Sequence, residues 1–380
     1  MNIKSLLIGS AAALTVVSGA HAADAIVAAE PEPLEYVRVC DAFGTGYFYI
    51  PGTETCLKIG GYMRFDLRGG KPGNLVSRTG NLDTGLDTFS RFALRFSTAS
   101  DTEYGALKTY AEARFNVESG RGLDDDKTVL SFGYIDLAGF RAGIDESAFT
   151  TFAGYAGSVI NDDTISFGPY RTALVSYTYE AGNGFSGIIS LEDDENAASS
   201  EMYANGTFVN RTARKNYAPN VAAGIGYQGE AFGAKLVGGY DSETEEGAVK
   251  ARIDGTFGSV TAFLMGGWST DGDRSIVYKA VSSSTNRLTL GSNYYARWGG
   301  DWAVWGGFSV PVSEQVKFNT QVSYDDRKNL VAVANVNYTV VPGFVITPEV
   351  VYAKIDDKVA QRADKKDDVI SGVLRFQRSF

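Results

Sequence analysis

The chain has 380 residues, of which 45 are acidic and 35 basic, so its formal net charge is −10. This balance argues against a nucleic-acid partner, because binding to phosphates depends on lysine and arginine. The only histidine, His21, lies in a segment predicted to be removed on export. Without a histidine, the chain cannot form a Ser-His-Asp triad, a histidine base or a histidine-ligated zinc site. We therefore expect no enzyme, no cofactor and no metal site.

The first 22 residues have the three parts of a secretory signal peptide. Lys4 supplies a positive start, residues 6–17 form an apolar run, and Ala20-His21-Ala22 is an Ala-x-Ala cleavage site. A membrane anchor is the competing interpretation, but a spanning helix needs about 20 apolar residues. The sequence therefore predicts that residues 1–22 are removed and that the mature chain begins at Ala23.

Residues 23–56 are predicted to form an irregular N-terminal periplasmic segment. They contain both cysteines of the chain, Cys40 and Cys56. An exported protein matures in an oxidising compartment, so the default expectation is one disulfide. Two free thiols serving redox chemistry are the alternative, although the spacing is not that of a Cys-x-x-Cys motif.

A strand pattern begins at Leu57 and recurs to the end of the chain. Side chains alternate across a strand, so in residues 57–67 the odd positions form an apolar face and the even ones, among them Lys58, Arg64 and Asp66, form a charged face. Sixteen segments are read as strands on this pattern. They are 57–67, 89–99, 107–117, 128–138, 140–144, 173–180, 185–192, 220–228, 231–241, 248–256, 259–268, 302–310, 316–324, 330–339, 344–354 and 368–380.

Long and short connections take turns between these strands, as in an up-and-down sheet with loops at one end and turns at the other. In a bilayer the apolar face meets lipid, and closing the sheet removes its unpaired edges. A soluble β-sandwich would instead bury charges such as Arg91, Glu112 and Lys250 without partners, which is costly. The predicted fold is therefore all-β: a transmembrane antiparallel β-barrel of 16 strands over residues 57–380.

Several stretches of the chain resemble the porins of alphaproteobacterial outer membranes, the Rhizobium and Brucella type. They are the leader at residues 1–7, the segments 36–41 and 46–57 around the two cysteines, the hairpin 134–143 and the terminal Phe380. This resemblance implies a trimeric general-diffusion porin whose third outer loop folds into the lumen. It also implies that Phe380, an aromatic residue on the lipid-facing row, serves as the assembly signal.

The third long connection, about residues 145–172, is the predicted constriction loop. A barrel of 16 to 18 strands encloses an aqueous channel that its own side chains cannot fill, so permeability is set where something narrows it. The loop is apolar and glycine-rich in the middle and carries Asp145, Glu146, Asp162 and Asp163. A solvated outer loop is the alternative, which the strand order and the family resemblance disfavour.

Alternation places a set of arginines on the lumen side of neighbouring strands, opposite this acidic loop. They are Arg64, Arg91, Arg95, Arg114, Arg141 and Arg375. We expect them to form one basic wall across the constriction from the acidic residues, since charges lining a pore select solutes by sign and size. The alternative is that they are ordinary solvated lumen residues.

Three further acidic runs, at residues 192–195, 243–246 and 364–368, are assigned to outer loops. There they would be solvated or bridged to lipopolysaccharide by divalent ions, with metal coordination as a weaker alternative.

The predicted function is a passive water-filled channel for small hydrophilic solutes and ions in the bacterial outer membrane. The expected partners are two further copies of the chain in a homotrimer, the membrane lipid with its lipopolysaccharide, and the solutes themselves. The nearest alternative is a substrate-specific channel for sugars or dicarboxylates. A barrel enzyme would require chemistry that a chain without histidine cannot easily perform, and an adhesin or structural barrel would not conduct.

Overall fold

The computed structural model describes residues 38–70, 86–118, 127–193, 202–204, 207–209, 218–270, 293–354 and 368–380. The predicted signal peptide, residues 1–22, lies outside these described residues, as does the periplasmic segment up to residue 37. Within the described ranges no helix is both long enough and apolar enough to cross a membrane.

Sixteen long antiparallel strands form the body of the molecule, which confirms the predicted fold and strand count. Each predicted strand is present, and most bounds agree within two or three residues. In chain order they are β1 Cys56–Gly69, β2 Leu86–Thr102, β3 Gly105–Glu118, β4 Lys127–Leu137, β5 Phe140–Glu146, β6 Arg171–Glu180, β7 Phe185–Asp193, β8 Asn220–Gln228, β9 Phe232–Asp241, β10 Glu246–Phe257, β11 Val260–Ser269, β12 Trp302–Pro311, β13 Val316–Asp325, β14 Leu330–Val341, β15 Phe344–Lys354 and β16 Asp368–Ser379.

The sheet is a closed barrel, because every strand pairs with its neighbours in sequence and β16 pairs with β1. Closure extends to the last residue. The amide of Phe380 donates to the carbonyl oxygen of Gly61 at 3.1 Å, and the Gly61 amide donates to the Phe380 carbonyl at 3.0 Å. Among the sixteen described strands of the barrel wall, none has an unpaired edge that another chain or lipid could meet.

Tight turns join the strands at one end of the barrel. Between β4 and β5 the turn consists of Ala138 and Gly139, both with positive φ, at 52° and 90°. Two residues with φ > 0 are what a type I′ hairpin needs, since this turn matches the twist of the strands that it joins. A Cβ atom at Gly139 would lie 2.4 Å from the carbonyl oxygen of Thr178, so only glycine fits there.

The apolar side chains of the strands point outwards. Ile59, Phe96 and Leu264 are all exposed, whereas Asp66 and Glu112 on the inner face are buried. Rings cluster towards both ends of the barrel, as in the pairs Phe140–Tyr177 and Trp302–Tyr324. An apolar band flanked by aromatic residues is the surface that a bilayer requires of a barrel.

The cysteine-containing segment lies at the tight-turn end. Cys40 and Cys56 form the expected disulfide, with Cα atoms 6.0 Å apart. A two-residue strand, Phe48–Tyr49, pairs with the start of β1. A 3₁₀ turn at Asp41–Phe43 precedes it.

Two local features differ from the predicted pattern. The pairing of β3 with β4 shifts register between Glu112 and Ala113. As a result, Leu130 is exposed and Ser131 is buried, the reverse of the alternation expected for β4. In the long connection after β7, the segments Met202–Ala204 and Thr207–Val209 pair as a separate small hairpin. Alternation alone reports neither, because a bulge adds a residue without any change of composition.

Candidate functional site

The connection between β5 and β6 folds into the barrel. It begins after Glu146 with the one-turn helix Ala148–Thr151 and ends at β6, so the loop proper covers residues 147–170. Three rings of the loop, Phe149, Phe152 and Phe167, are buried. Because these rings sit on the inner wall and away from lipid, the loop itself supplies the apolar packing inside the lumen.

Hydrogen bonds from the lumen face of three distant strands bind the loop backbone. Trp305 Nε1 donates to the Ile165 carbonyl at 2.9 Å, Gln321 Nε2 to the Asp162 carbonyl at 2.9 Å, and Lys250 Nζ to the Phe167 carbonyl at 2.7 Å. A loop carbonyl turned towards an apolar wall would otherwise lose its hydrogen bond to water. The wall of β10, β12 and β13 is thus the seat of the loop.

A buried carboxylate fixes the start of the loop. Glu192, on the lumen face of β7, accepts hydrogen bonds from the Ser147 hydroxyl and the Ala148 amide, both at 2.7 Å. Ser147 in turn caps the helix by accepting from the Phe149 amide. The interpretation of Glu192 as part of a solvated outer-loop run was wrong, because it is the last lumen-facing position of a strand and lies 1% exposed.

A second buried carboxylate holds the tip of the loop. Glu349, on β15, accepts from the Ile160 amide, from the Asn161 amide at 3.0 Å and from the Asn161 side chain at 2.6 Å. Asn335 Nδ2 donates to the same carboxylate at 2.9 Å. Four donors thus surround one carboxylate, and hydrogen bonds to a charged acceptor are stronger than those to a neutral one.

Lys250 is fully buried where the loop returns. Its Nζ lies 4.6 Å from the ring centroid of Phe149 and 5.5 Å from that of Phe167. Among the described residues no carboxylate forms an ion pair with it. The ammonium is held by a backbone carbonyl and two ring faces, so it ties both ends of the loop to β10.

The opposite wall carries the predicted arginines, all of them on the lumen face. They are Arg64 on β1, Arg91 and Arg95 on β2, Arg114 on β3, Arg141 on β5 and Arg375 on β16. We call this set, with the lumen-facing Arg68, the arginine wall. Closure of the barrel brings β16 beside β1, which joins Arg375 to the rest.

Buried carboxylates are interleaved with these arginines. Glu112 accepts from Arg95 and Arg114, each at 2.5 Å. Asp66 accepts from Arg375 at 2.8 Å, and 309 residues separate the two in the chain. Two acidic residues of the charged faces therefore serve as counter-ions within what the sequence analysis expected to be one basic wall.

Arg64 and Arg91 are bound differently. They lie directly opposite each other in the register of β1 and β2. Arg64 Nε donates to Gln377 Oε1 at 2.9 Å, and Arg91 Nε donates to Asn116 Oδ1 at 2.7 Å. Neither has a carboxylate within ion-pair distance among the residues that the structure describes.

The four predicted acidic residues separate into two pairs. Asp145 and Glu146 end β5, on the side of the arginine wall. Asp145 binds Arg141 at 2.7 Å, and Glu146 accepts from the Tyr155 hydroxyl. Tyr170, at the end of the loop, accepts from Arg114 Nη1 at 2.9 Å. Asp145 is therefore a partner within the wall and does not face it across the lumen.

Asp162 and Asp163 lie at the far side of the loop, near its contact with β13. In the described part of the chain no lysine or arginine forms an ion pair with either carboxylate. Burial in the folded loop and the adjacent Asp163 raise the pKa of Asp162. Asp163 is the more exposed of the two.

A closed barrel with an apolar outside, a charged lumen and a loop folded into that lumen is the architecture of an outer-membrane porin. The family model described as "Porin subfamily" matches residues 24–373, and the chain belongs to this family. It is a channel protein of the bacterial outer membrane, as the sequence predicted.

Relatives of known identity match over the whole chain. Porin Omp2b of Brucella suis is 46% identical over 396 residues, and Porin Omp2b of Brucella abortus (strain 2308) is 45% identical over 394 residues, with 100% of both chains covered in each case. The resemblance to alphaproteobacterial general porins is thereby confirmed.

Solved structures share the fold at low sequence identity. The outer membrane channel DcaP of Acinetobacter baumannii is 14% identical with a TM-score of 0.62, covering 87% of this chain and 99% of that one. An anion-selective porin from Comamonas acidovorans is 10% identical with a TM-score of 0.53, covering 86% and 100%. These likenesses support the barrel fold alone.

Proposed function

We propose that the loop 147–170 and the arginine wall together form the constriction of a passive diffusion channel. The observation that carries this proposal is the attachment of the loop to the lumen face of β10, β12, β13 and β15. The loop thus extends from the end of β5 across the lumen to strands that carry none of the wall arginines. Solutes passing through the barrel must cross the space that remains between the two.

The charge pattern supports selection by both size and sign. Asp162 and Asp163 place acidic groups on the loop side, and Arg64, Arg91 and Arg95 carry positive charge on the wall. A field across a narrow aqueous gap orients dipolar solutes and disfavours apolar ones. Small hydrophilic molecules and ions are therefore the expected substrates, and no cofactor or energy source is required.

We also infer a homotrimer, which rests on the family resemblance. Reconstitution of the purified protein into planar bilayers tests it together with the channel. We expect conductance to appear and close in groups of three equal steps. Single independent steps would argue for a monomeric channel, and a silent bilayer would contradict the proposed function.

The constriction is tested by charge reversal. Arg91→Glu with Arg95→Glu should shift the reversal potential in a KCl gradient towards stronger potassium preference, because two positive charges at the narrowest point become negative. Lys317→Glu, a lumen residue of β13 near the tight-turn end, is the control and should shift it less. Equal shifts of the reversal potential in the arginine variant and the control, or no shift in either, would show that Arg91 and Arg95 do not line the constriction. Saturable block by one sugar or one dicarboxylate, with no block by other members of the same class, would indicate the substrate-specific alternative.

A further inference from the structure

The positive charge of the arginine wall is neutralised unevenly. Five of its seven arginines have carboxylate partners. Arg95 and Arg114 share Glu112, Arg141 has Asp136 and Asp145, Arg375 has Asp66, and Arg68 has Asp66 and Glu118. Arg64 and Arg91 have only the amide oxygens of Gln377 and Asn116. The uncompensated charge of the wall is therefore concentrated on these two residues.

The uncompensated positive charge of Arg64 and Arg91 lies at one place on the wall. Arg64 and Arg91 are direct cross-strand partners in the β1–β2 register, and like charges directly opposite each other destabilise a sheet. Both side chains are half-buried and open to the lumen. The repulsion between two such arginines is reduced by water or by an anion that lies between the two guanidinium groups.

The hydrogen bonds of Arg64 and Arg91 leave their terminal nitrogens available as donors to a ligand. Both arginines use Nε for their amide partner, and among the described residues neither Nη1 nor Nη2 of either side chain has a hydrogen-bond acceptor. Ring faces hold the two guanidinium groups in place: Tyr62 lies 4.8 Å from Arg64 Cζ, and Phe89 lies 5.1 Å from Arg91 Cζ. The terminal nitrogens of a guanidinium group match the oxygen spacing of carboxylates and phosphates.

We propose that Arg64 and Arg91 form a binding site for a small oxyanion, the carboxylate or phosphate group of a solute in transit. This inference rests on the proposed channel function and deepens it. The five paired arginines then serve to hold the wall together, and anionic solutes pause at Arg64 and Arg91, the cross-strand pair without carboxylate partners among the described residues.

The test measures anion block in planar bilayers. The wild-type channel, at constant KCl, is titrated with sodium succinate or with inorganic phosphate, and glucose serves as the uncharged control. We expect saturable reduction of current by the anions and none by glucose. Block by both anions indicates a general oxyanion site, block by one assigns the site to that group, and block by neither overturns the proposal.

Matched variants separate a local site from the field of the whole wall. Arg64→Gln and Arg91→Gln should each weaken the block by about tenfold, the loss expected for one charge-assisted contact. Arg95→Gln removes the same charge from an ion-paired position and should change it by less than half as much. Equal weakening in all three variants would contradict a local site.

Two further measurements keep the result interpretable. Arg64→Lys preserves the charge but not the paired terminal nitrogens, so this variant should bind the anions more weakly than wild type. Heat-modifiable electrophoretic mobility shows whether the variant is folded. Broadening of the ³¹P NMR line of phosphate by the detergent-solubilised protein reports binding without conductance. Loss of conductance with retained broadening would count against the channel only, whereas conductance without broadening or block would count against the site.

Discussion

At the scale of single residues, two buried carboxylates decide where the loop lies. Glu192 binds its first residues and Glu349 binds its tip. Glu349 has no lysine or arginine within ion-pair distance in the part of the chain described. Backbone and side-chain N–H groups of the loop replace the water that a carboxylate in an open lumen would bind.

We predict that Glu349→Gln loosens the loop tip. The amide nitrogen of glutamine would face donors where the carboxylate accepted, and a lost bond to a charged group costs about 1.5–3 kcal/mol. The open-channel current should become noisier, and the loop more susceptible to protease added from the outer side. Glu314→Gln, in the exposed turn before β13, is the control. Noise equal to wild type in both variants would show that Glu349 does not hold the tip.

At the scale of elements, the N-terminal segment and the barrel wall depend on different contacts. Besides the disulfide, the contacts of the segment with β1 include the two-residue strand Phe48–Tyr49 and a hydrogen bond from Lys58 to the Thr45 carbonyl. The closure of the barrel between β1 and β16 uses none of these contacts. The segment should therefore be separable from the channel.

Replacing both Cys40 and Cys56 by serine tests that separation. The disulfide closes a loop of 15 residues, which corresponds to about 3 kcal/mol in the chain-entropy model. We expect limited proteolysis to remove the segment from the variant but not from the oxidised wild type, while single-channel conductance stays unchanged. Reduced wild-type protein is the matched control and should behave like the variant. A change in conductance would show that the segment shapes the pore.

The alternation of the strands also has limits at this scale. Residues 330–334 are apolar on both faces, and Val331 and Val333 are buried in the lumen against the loop. Such a two-sided apolar strand in an otherwise alternating barrel is the signal from which the seat of the loop could have been predicted. The register shift in β4 has no comparable signal.

At the scale of the whole molecule, the outer surface is a solvent-exposed apolar band, and the lumen holds the charges. This is the reverse of a soluble protein, and lipid is the medium that makes it stable. For the same reason, an arginine introduced on the outer face should destabilise the barrel far more than one introduced on the lumen face.

Leu264→Arg should therefore destabilise the barrel. Leu264 is in the middle of β11 on the outer face, where an arginine costs about 2–4 kcal/mol in a bilayer. Ser186→Arg, on the lumen face of β7, is the control and should cost far less. Urea titration of folding into lipid vesicles measures both, and equal destabilisation would mean that the apolar band does not face lipid.

The sequence by itself determined the strands, their number, the face of each that meets lipid and the arginines that reach the lumen, because alternation is a local property of the backbone. It also indicated the disulfide and the loop that enters the barrel. Only the tertiary structure decided which arginines are neutralised and where the loop is bound. Those contacts join residues far apart in the chain, such as Asp66 with Arg375 and Ile165 with Trp305, and depend on cross-strand register and barrel closure, which alternation does not encode.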